Sequence, residues 1–561
     1  MLLILLSWIY IFFTAFGFGM AFSKALRFQQ FEVVITPILG LFSITLFATV
    51  WAFFGPINIL FHTVLLLFSI LFWYNSKEVV TTVFQTLTQF STFSFPIKIL
   101  LCISSILILA QSATLPFIID NESYYIQTVK WLNEYGFVKG LANLHLFFGQ
   151  TSGWHITQSV FSFSFLYDRF NDLNGFCLLL GNFFAFEKLN SYFKNDKRLD
   201  LIFGLLPLTY VFLFQFVSAP SPDLPIYIFG FILFSYYLQR EDKEAFIIIA
   251  TLAFFAFFIK VTAVILLLFP LILLIKRFTT LKEKLFPVAS IGVLVLILFI
   301  SKNIILTGYP LFPLLSFRMS ELDYAVPTII MDFFFSKSML HSFYIDGSSF
   351  ANASFLDLAR QYFLYNGLSG YIGIVSILMI LIAPVLIFIQ KSPKLWTIYF
   401  AFIALSILLF FSSAQYRFYV YFTLFFLLVV LSTLVSKPKW ILRLCGISML
   451  VVTVLILIPI SFGSLTTNNL LVQNNTLHLE NIVIPEPNSK WNPEFRGSSV
   501  GNMIYQTPVD DSFFWVTGNG KLPCVNEKQI QYFEHGFFYI PQQRSKDLKD
   551  GFYAQKISGH E

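Results

Sequence analysis

The sequence predicts an all-α polytopic membrane protein that carries a small mixed or β-rich domain at its C-terminal end. Three observations carry that prediction. Of the 561 residues, 57% are hydrophobic and only 12% are charged, whereas a soluble domain carries about 25% charged residues. Many apolar runs reach the ~20 residues that a helix needs to cross a bilayer, and lipid forces each crossing segment to satisfy its own backbone as a helix. Beyond Ser461 the composition shifts, and residues 466–561 are rich in Asn, Gln, Pro and charge.

The remaining composition narrows the class. The 73 Phe read as lipid-facing bulk together with genomic base bias. The net charge of +6 is no nucleic-acid signal, because the cations lie in short loops between apolar runs. Cys102, Cys177, Cys445 and Cys524 are far apart and show no metal-type spacing. Residues 1–22 lack a cationic start and a clear small-residue cleavage site, so they read as a retained first helix.

Cations set the expected threading, because cytoplasmic loops retain Lys and Arg. The inside loops carry Lys24 and Arg27; Lys77; Lys194, Lys197 and Arg198; Arg240 and Lys243; Lys276, Arg277, Lys282 and Lys284; Lys391 and Lys394; and Lys437, Lys439 and Arg443. The alternate connections are poorer in cations: Gly55-Pro56, the Asp120 region, 218–223, 307–370 and 412–415. Residues 245–276 are too long for one ordinary span and have cationic flanks at both ends, so they are expected to form a hairpin of two short helices with Lys260 near its outer tip. About 14 membrane segments result. The division is 1–96, a three-helix membrane segment; 97–462, a membrane core with external loops 120–170 and 307–370; and 463–561, an external domain. Residues 156–167 are the other weak point in the threading, and an interfacial placement suits them. No internal repeat is evident, which weighs against transporter folds built from repeated halves. In the C-terminal part, 477–483 alternates like a strand, 513–516 reads as a buried strand, and Cys524 is the one cysteine.

Asp120-Asn121-Glu122 follows the apolar run 97–119 directly, where a helix should surface. A carboxylate at a water–lipid boundary can take a proton from an incoming hydroxyl. A pair of carboxylates can hold a divalent cation against phosphate. Helix capping by Asp120 or Asn121 explains one acidic residue, though less readily two. The aromatic, amphipathic stretch 123–131 follows, with Tyr124 in it, and then Asn143, His145, Trp154 and His155. These read as a rim that grips sugar or headgroup, or as an interfacial aromatic belt. The ten-residue spacing of the two histidines is no metal motif. Lys260 follows an apolar run and suits a lipid phosphate, unless it only snorkels to the surface. Asp223 starts a helix at the same level, where capping competes with substrate binding. Arg417 is the one cation at the mouth of its hairpin and suits phosphate. Residues 308–313 read as a rigid turn, and 327–335 as a segment lying flat on the membrane.

Many short helices, an acidic motif in an early external loop and a soluble C-terminal part resemble the GT-C glycosyltransferase superfamily. The blocks 130–136 and 140–145 also look like an uncharacterised family of bacterial multi-pass proteins, the LIC_10190-type membrane proteins. The closer likeness extends over 120–167, 220–225, 308–313 and 522–526. Three helices precede the acidic loop here, and the motif is Asp-Asn-Glu where GT-C proteins often carry Asp-x-Asp. The resemblance implies a glycosyltransferase at the outer face of the bacterial inner membrane, with a periplasmic C-terminus. It would move sugar from a polyprenyl-phosphate donor to a glycan or lipid acceptor, for cell-envelope glycan or glycolipid synthesis. Its partners would be membrane lipid, donor and acceptor, with no nucleic acid. On that reading Asp120 is the base and Glu122 orients the acceptor or shares a Mg or Mn ion with Asp120, the need for a cation being open. Lys260 and Arg417 stabilise the departing phosphate, and Tyr124 and Trp154 stack on sugar. The alternatives are a lipid-linked glycan transporter or flippase, a polysaccharide polymerase or ligase, and a non-catalytic envelope component.

Overall fold

The protein was analysed as a computed structural model that describes residues 1–28, 32–75, 88, 90–167, 170–343, 352–363, 367–413, 415–463, 471–509 and 514–557. Lys77, Ala414, Phe513 and parts of the 307–370 connection therefore lie outside the described residues.

The chain is a helical body with a small C-terminal cap. Helices α1 (Leu2–Ala25), α2 (Ile35–Ala52) and α3 (Ile59–Tyr74) come first, followed by α4 (Phe95–Ser112). Asn58 caps α3 by accepting from the Leu60 amide, and a proline opens α4, where a missing N–H costs nothing. A π-helical turn (Asn121–Tyr125) runs into α5 (Ile126–Glu134), and α6 (Gly153–Val160) lies beneath it. Then come α7 (Leu173–Asn195), the broken α8 (Arg198–Phe216), α9 (Asp223–Gln239), α10 (Lys243–Ile259), α11 (Val261–Lys276) and α12 (Phe278–Thr307). Helices α13 (Thr328–Phe343) and α14 (Phe355–Phe363) lie in the long connection before α15 (Leu368–Gln390), α16 (Pro393–Phe410), α17 (Val420–Leu434) and α18 (Pro438–Leu457).

Eight of these among the described residues, α1, α2, α4, α8, α12, α15, α16 and α18, are long and apolar enough to cross a membrane. This is a multi-pass helical membrane protein. The expectation of about 14 spans also counted the shorter α3, α11 and α17 and the central α7, α9 and α10. Helix α9 is apolar all round and buried along nearly its whole length, as a central helix must be. Its buried position fixes Asp223, at its first turn, inside the body.

Several expectations can be compared with the fold. Helices α10 and α11 do pack together as a hairpin, and the chain turns at Lys260, whose extended backbone interrupts the helix. Loops that charge alternation assigns to one side also touch one another: Arg240 pairs with Glu32 at 3.5 Å, and Lys394 with Glu241 at 2.9 Å. The segment 156–167 contributes no crossing; its helical part ends with α6, which is buried under α5.

The C-terminal part is indeed mixed, with two antiparallel hairpins and one α-helix among the described residues, but its strands fall elsewhere than expected. β1 (Phe495–Val500) pairs with β2 (Met503–Pro508) from Phe495↔Pro508 to Val500↔Met503, and β3 (Tyr539–Gln543) pairs with β4 (Phe552–Lys556). Helix α19 (Glu527–Phe537) lies between the hairpins in sequence. The alternating run 477–483 is instead a short 3-10 turn, Leu479–Ile482, because Asn481 accepts from the His478 amide at 2.8 Å and closes the chain locally. Phe514 and Trp515 form a turn, and Trp515 packs edge-on against Phe147. The run expected to lie flat on the membrane opens α13, where Phe333 packs on Phe533 and Phe537 of α19.

Helices α1 and α2 cross at van der Waals contact between their backbones. A Cβ on Gly40 would lie 1.6 Å from the Ala15 carbonyl oxygen, and one on Gly19 would lie 1.9 Å from that of Thr36. Small residues allow such an approach in lipid, where packing replaces the hydrophobic effect. Gly40→Val is therefore expected to force the two helices apart and destabilise the protein by about 2–3 kcal/mol, read as a lowered thermal midpoint in detergent.

Candidate functional site

Four charged side chains from four separate segments meet where the chain leaves α4, enters α9, turns at the α10–α11 hairpin and approaches α17. Arg417 donates from Nη1 to Asp120 Oδ2, and the same nitrogen stands 4.0 Å from Asp223 Oδ2. Lys260 donates to Asp223 Oδ1. The formal charges cancel. Asp223 is only 1% exposed, while the side chains of Asp120, Lys260 and Arg417 retain 17%, 20% and 27% of their exposure. The cluster is thus buried on the Asp223 side and reachable on the other.

Neighbouring groups fix this geometry. Gln415 accepts from Arg417 Nε at 2.8 Å, and Tyr227 Oη on α9 donates to the Arg417 carbonyl at 2.9 Å. The Lys260 ammonium lies 4.1 Å from the centre of the Phe418 ring, a cation–π contact. Tyr125 donates to Asp120 at 3.4 Å. Burial raises the Asp120 pKa, but the charge and hydrogen bond of Arg417, helped by Lys260 and Tyr125, override it and hold the group below the usual carboxylate range. Neither Asp120 nor Asp223 acts as a side-chain helix cap.

Glu122 does not join this cluster. Its carboxyl accepts from the Lys490 amide at 2.9 Å and from Asn121 Nδ2 at 3.0 Å, and contacts Ser489. The reason is the helical backbone of this stretch. On an α- or π-helical turn, positions two apart lie roughly half a turn from each other and point to opposite sides. The expected pairing of Asp120 and Glu122 around a divalent cation does not fit this arrangement. Among the described residues no group of three His, Cys, Asp or Glu side chains is placed to hold a metal ion.

The aromatic and amide residues divide. Tyr124 and His155 lie beside the cluster: Tyr124 stacks on Phe147 at 5.1 Å, and the His155 ring is 4.7 Å from that of Tyr125. His155 is wholly buried, its Nδ1 accepts from the Ser152 amide at 3.4 Å, and burial lowers its pKa to about 3. Trp154 is not on the rim. It is wholly buried against Phe229 and Phe255 and donates to Asn174, so it has no face free for a sugar. Asn143 and His145 are clamps. Asn143 Nδ2 donates to the Tyr324 carbonyl at 2.7 Å. His145 Nδ1 accepts from the Phe147 amide at 3.2 Å, which leaves Nε2–H to donate to the Trp515 carbonyl at 3.1 Å.

Sequence reasoning missed Tyr125, Gln415, Phe418 and Tyr227. Tyr125 and Phe418 each adjoin a residue singled out above, which is the one signal they offered. Nothing in the sequence marks Tyr227 on its apolar helix.

The fold and this charge cluster define a multi-pass membrane protein with a paired ionic site at one mouth of its helical body. The chain belongs to the family described as a domain of unknown function (DUF8201), which matches residues 1–424. That stretch contains Asp120, Asp223, Lys260 and Arg417, and ends before the C-terminal cap. No curated protein and no solved structure matches the chain.

The buried end of the cluster makes a stability prediction. Among the described residues, Lys260→Met leaves Asp223 with Ser221 as a donor and the more distant Arg417 as its cation, and losing one partner of a buried pair costs about 3–5 kcal/mol. Adding Asp223→Asn should restore most of the lost thermal midpoint, measured on purified protein in detergent.

Proposed function

We propose that the protein is a glycosyltransferase that takes sugar from a polyprenyl-phosphate donor at the outer face of the bacterial inner membrane. The observation that carries this reading is the pairing of two partly exposed cations with two carboxylates at a membrane-side mouth. Lys260 and Arg417 suit the single phosphate of a lipid-linked sugar, and Asp120 suits the proton of an acceptor hydroxyl.

The ionic pairing gives the reaction an order. While Arg417 holds Asp120, that carboxylate is a weak base. A donor phosphate that engages Arg417 competes with Asp120 for the guanidinium and leaves the carboxylate more basic. The acceptor oxygen then attacks the anomeric carbon as its proton passes to Asp120. The bond from that carbon to the phosphate oxygen breaks, and Lys260 and Arg417 stabilise the charge that develops there. Asp223 holds Lys260 in place. A single displacement of this kind inverts the anomeric centre.

A transporter would need polar groups continuing through the membrane. Asn182 instead spends its amide locally, donating to Ser104 at 2.9 Å and accepting from Tyr210, and none of these groups touches the ionic cluster.

In nanodiscs, Asp120→Asn should lower turnover of a polyprenyl-phosphate sugar by about 10²- to 10⁴-fold while donor binding persists, and Arg417→Gln should weaken donor binding itself. A wild-type protein that binds no such donor would remove this reading, as would an Asp120→Asn protein of normal activity.

A further inference from the structure

We propose that Glu122 is a positioning residue held as a neutral carboxylic acid, which donates its proton to Ser489 and so locks the turn bearing Asp120 onto the C-terminal cap. Its consequence for Asp120 as a base rests on the function proposed above; the lock itself does not.

The argument is a count of protons. Ser489 Oγ lies 2.5 Å from Glu122 Oε2 and 2.6 Å from the Trp491 carbonyl oxygen. A hydroxyl has one proton to donate, and a carbonyl oxygen has none. If Glu122 were ionised, Ser489 would face two acceptors with one proton, and one of these short contacts would be lone pair against lone pair. A proton on Glu122 Oε2 resolves the row: the acid donates to Ser489, and Ser489 donates to Trp491. The other oxygen, Oε1, keeps its two donors, the Lys490 amide and Asn121 Nδ2.

The surroundings agree. Glu122 is 2% exposed, and among the described residues no cation forms an ion pair with it. Of the charged groups around it, Lys490 directs its ammonium to the Gln473 carbonyl at 2.9 Å, and Lys130 directs its own to the carbonyls of Asn519 and Gly520. Asp120 on the same turn is held by Arg417. Burial is the largest influence on Glu122, and it outweighs the contacts with Ser489 and Asn121 and with the Lys490 and Trp491 backbone, raising the pKa above the usual range even with the Lys490 charge nearby.

The lock is two-sided. While the Glu122 side chain grips 489–490, its own carbonyl accepts from the amides of Thr517 at 2.9 Å and Gly518 at 2.8 Å. One residue thus fastens two separate stretches of the cap, two positions from Asp120. A carboxyl whose pKa is raised by folding stabilises the fold fully below its unfolded value, about 4.3, and that contribution is lost as pH rises through the folded value.

The test uses the full chain in nanodiscs, between pH 5 and 9, and needs no turnover, so it is independent of the glycosyltransferase reading. Hydrogen exchange at 488–491 and 517–518, each rate divided by the intrinsic base-catalysed rate of a free amide at that pH, and the thermal midpoint are compared for wild type, Glu122→Gln and Glu122→Ala. Gln places an N–H where the acid O–H stands. Glu122→Gln is expected to match wild type at pH 5 and to equal or exceed it at pH 9, with any pH-driven rise in exchange abolished. Glu122→Ala should raise exchange in both stretches at least tenfold or fail to fold. A Glu122→Gln protein less protected than wild type across the range would mean an ionised carboxylate and overturn the proposal. An equal pH-driven rise in exchange in wild type and Glu122→Gln would overturn it too.

Discussion

Charge beside lipid must find a partner, and in this protein Arg417 is the partner on which the site depends. Its guanidinium holds Asp120 from the segment after α4 and stands against Asp223 at the head of the central helix. Without it, two carboxylates would share a poorly solvated volume with Lys260 alone. The ends of four chain segments therefore have to converge, and the α10–α11 hairpin has to turn where Lys260 reaches Asp223. An interaction of this kind is weak evidence for stability, because desolvation offsets much of the attraction. On the function proposed above, it is an arrangement held ready for a donor phosphate whose charge can replace one of its members.

The C-terminal cap belongs to the same construction. Asn475 donates to the Leu115 carbonyl at 2.8 Å, the Glu486 amide to that of Ala113 at 2.9 Å, and the Phe552 amide to that of Lys139 at 2.9 Å. His145 and Gln127 reach the cap from the membrane side, Gln127 donating to the Gly518 and Gly520 carbonyls at 3.1 and 2.9 Å. Loops between the helices that would otherwise leave these backbone groups unpaired are satisfied by the cap. The family match ends at residue 424, yet the turn that bears Asp120 is fastened by residues beyond it.

Much of this was legible in the sequence, for physical reasons that also mark where it ceased to be. Apolar runs and cations gave the helical body, because lipid imposes both. Asp120, Asp223, Lys260 and Arg417 were each visible as an ionisable residue at a membrane mouth, with helix capping competing for the two aspartates and snorkelling for Lys260. Their mutual pairing was not, since 297 positions separate Asp120 from Arg417. Trp154 looked like a rim residue because aromatic residues collect at interfaces, but Asn174 satisfies its indole inside the body. The alternation in 477–483 looked like a strand because alternation alone does not show whether a partner strand exists, and Asn481 closed a local turn instead.

The division of labour between Asp120 and Glu122 follows from the helical turn that carries them. Two carboxylates separated by one residue lie on the same face of an extended strand, where they could share a ligand, whereas on a helix they face apart. Asp120 therefore turns to the cations and Glu122 to the cap. The two environments push the groups in opposite directions: the cation-paired carboxyl goes below its ordinary pKa, and the buried one, which has no ion pair among the described residues, goes above it. One turn thus holds a charged group at the mouth and, two positions on, a carboxyl suited to stay neutral. The position of the charged group is set by the hydrogen bonds of its neighbour. A carboxylate whose neighbour on the same turn is fastened to the cap is carried on a rigid element, and groups on such elements are placed more precisely than groups on loops.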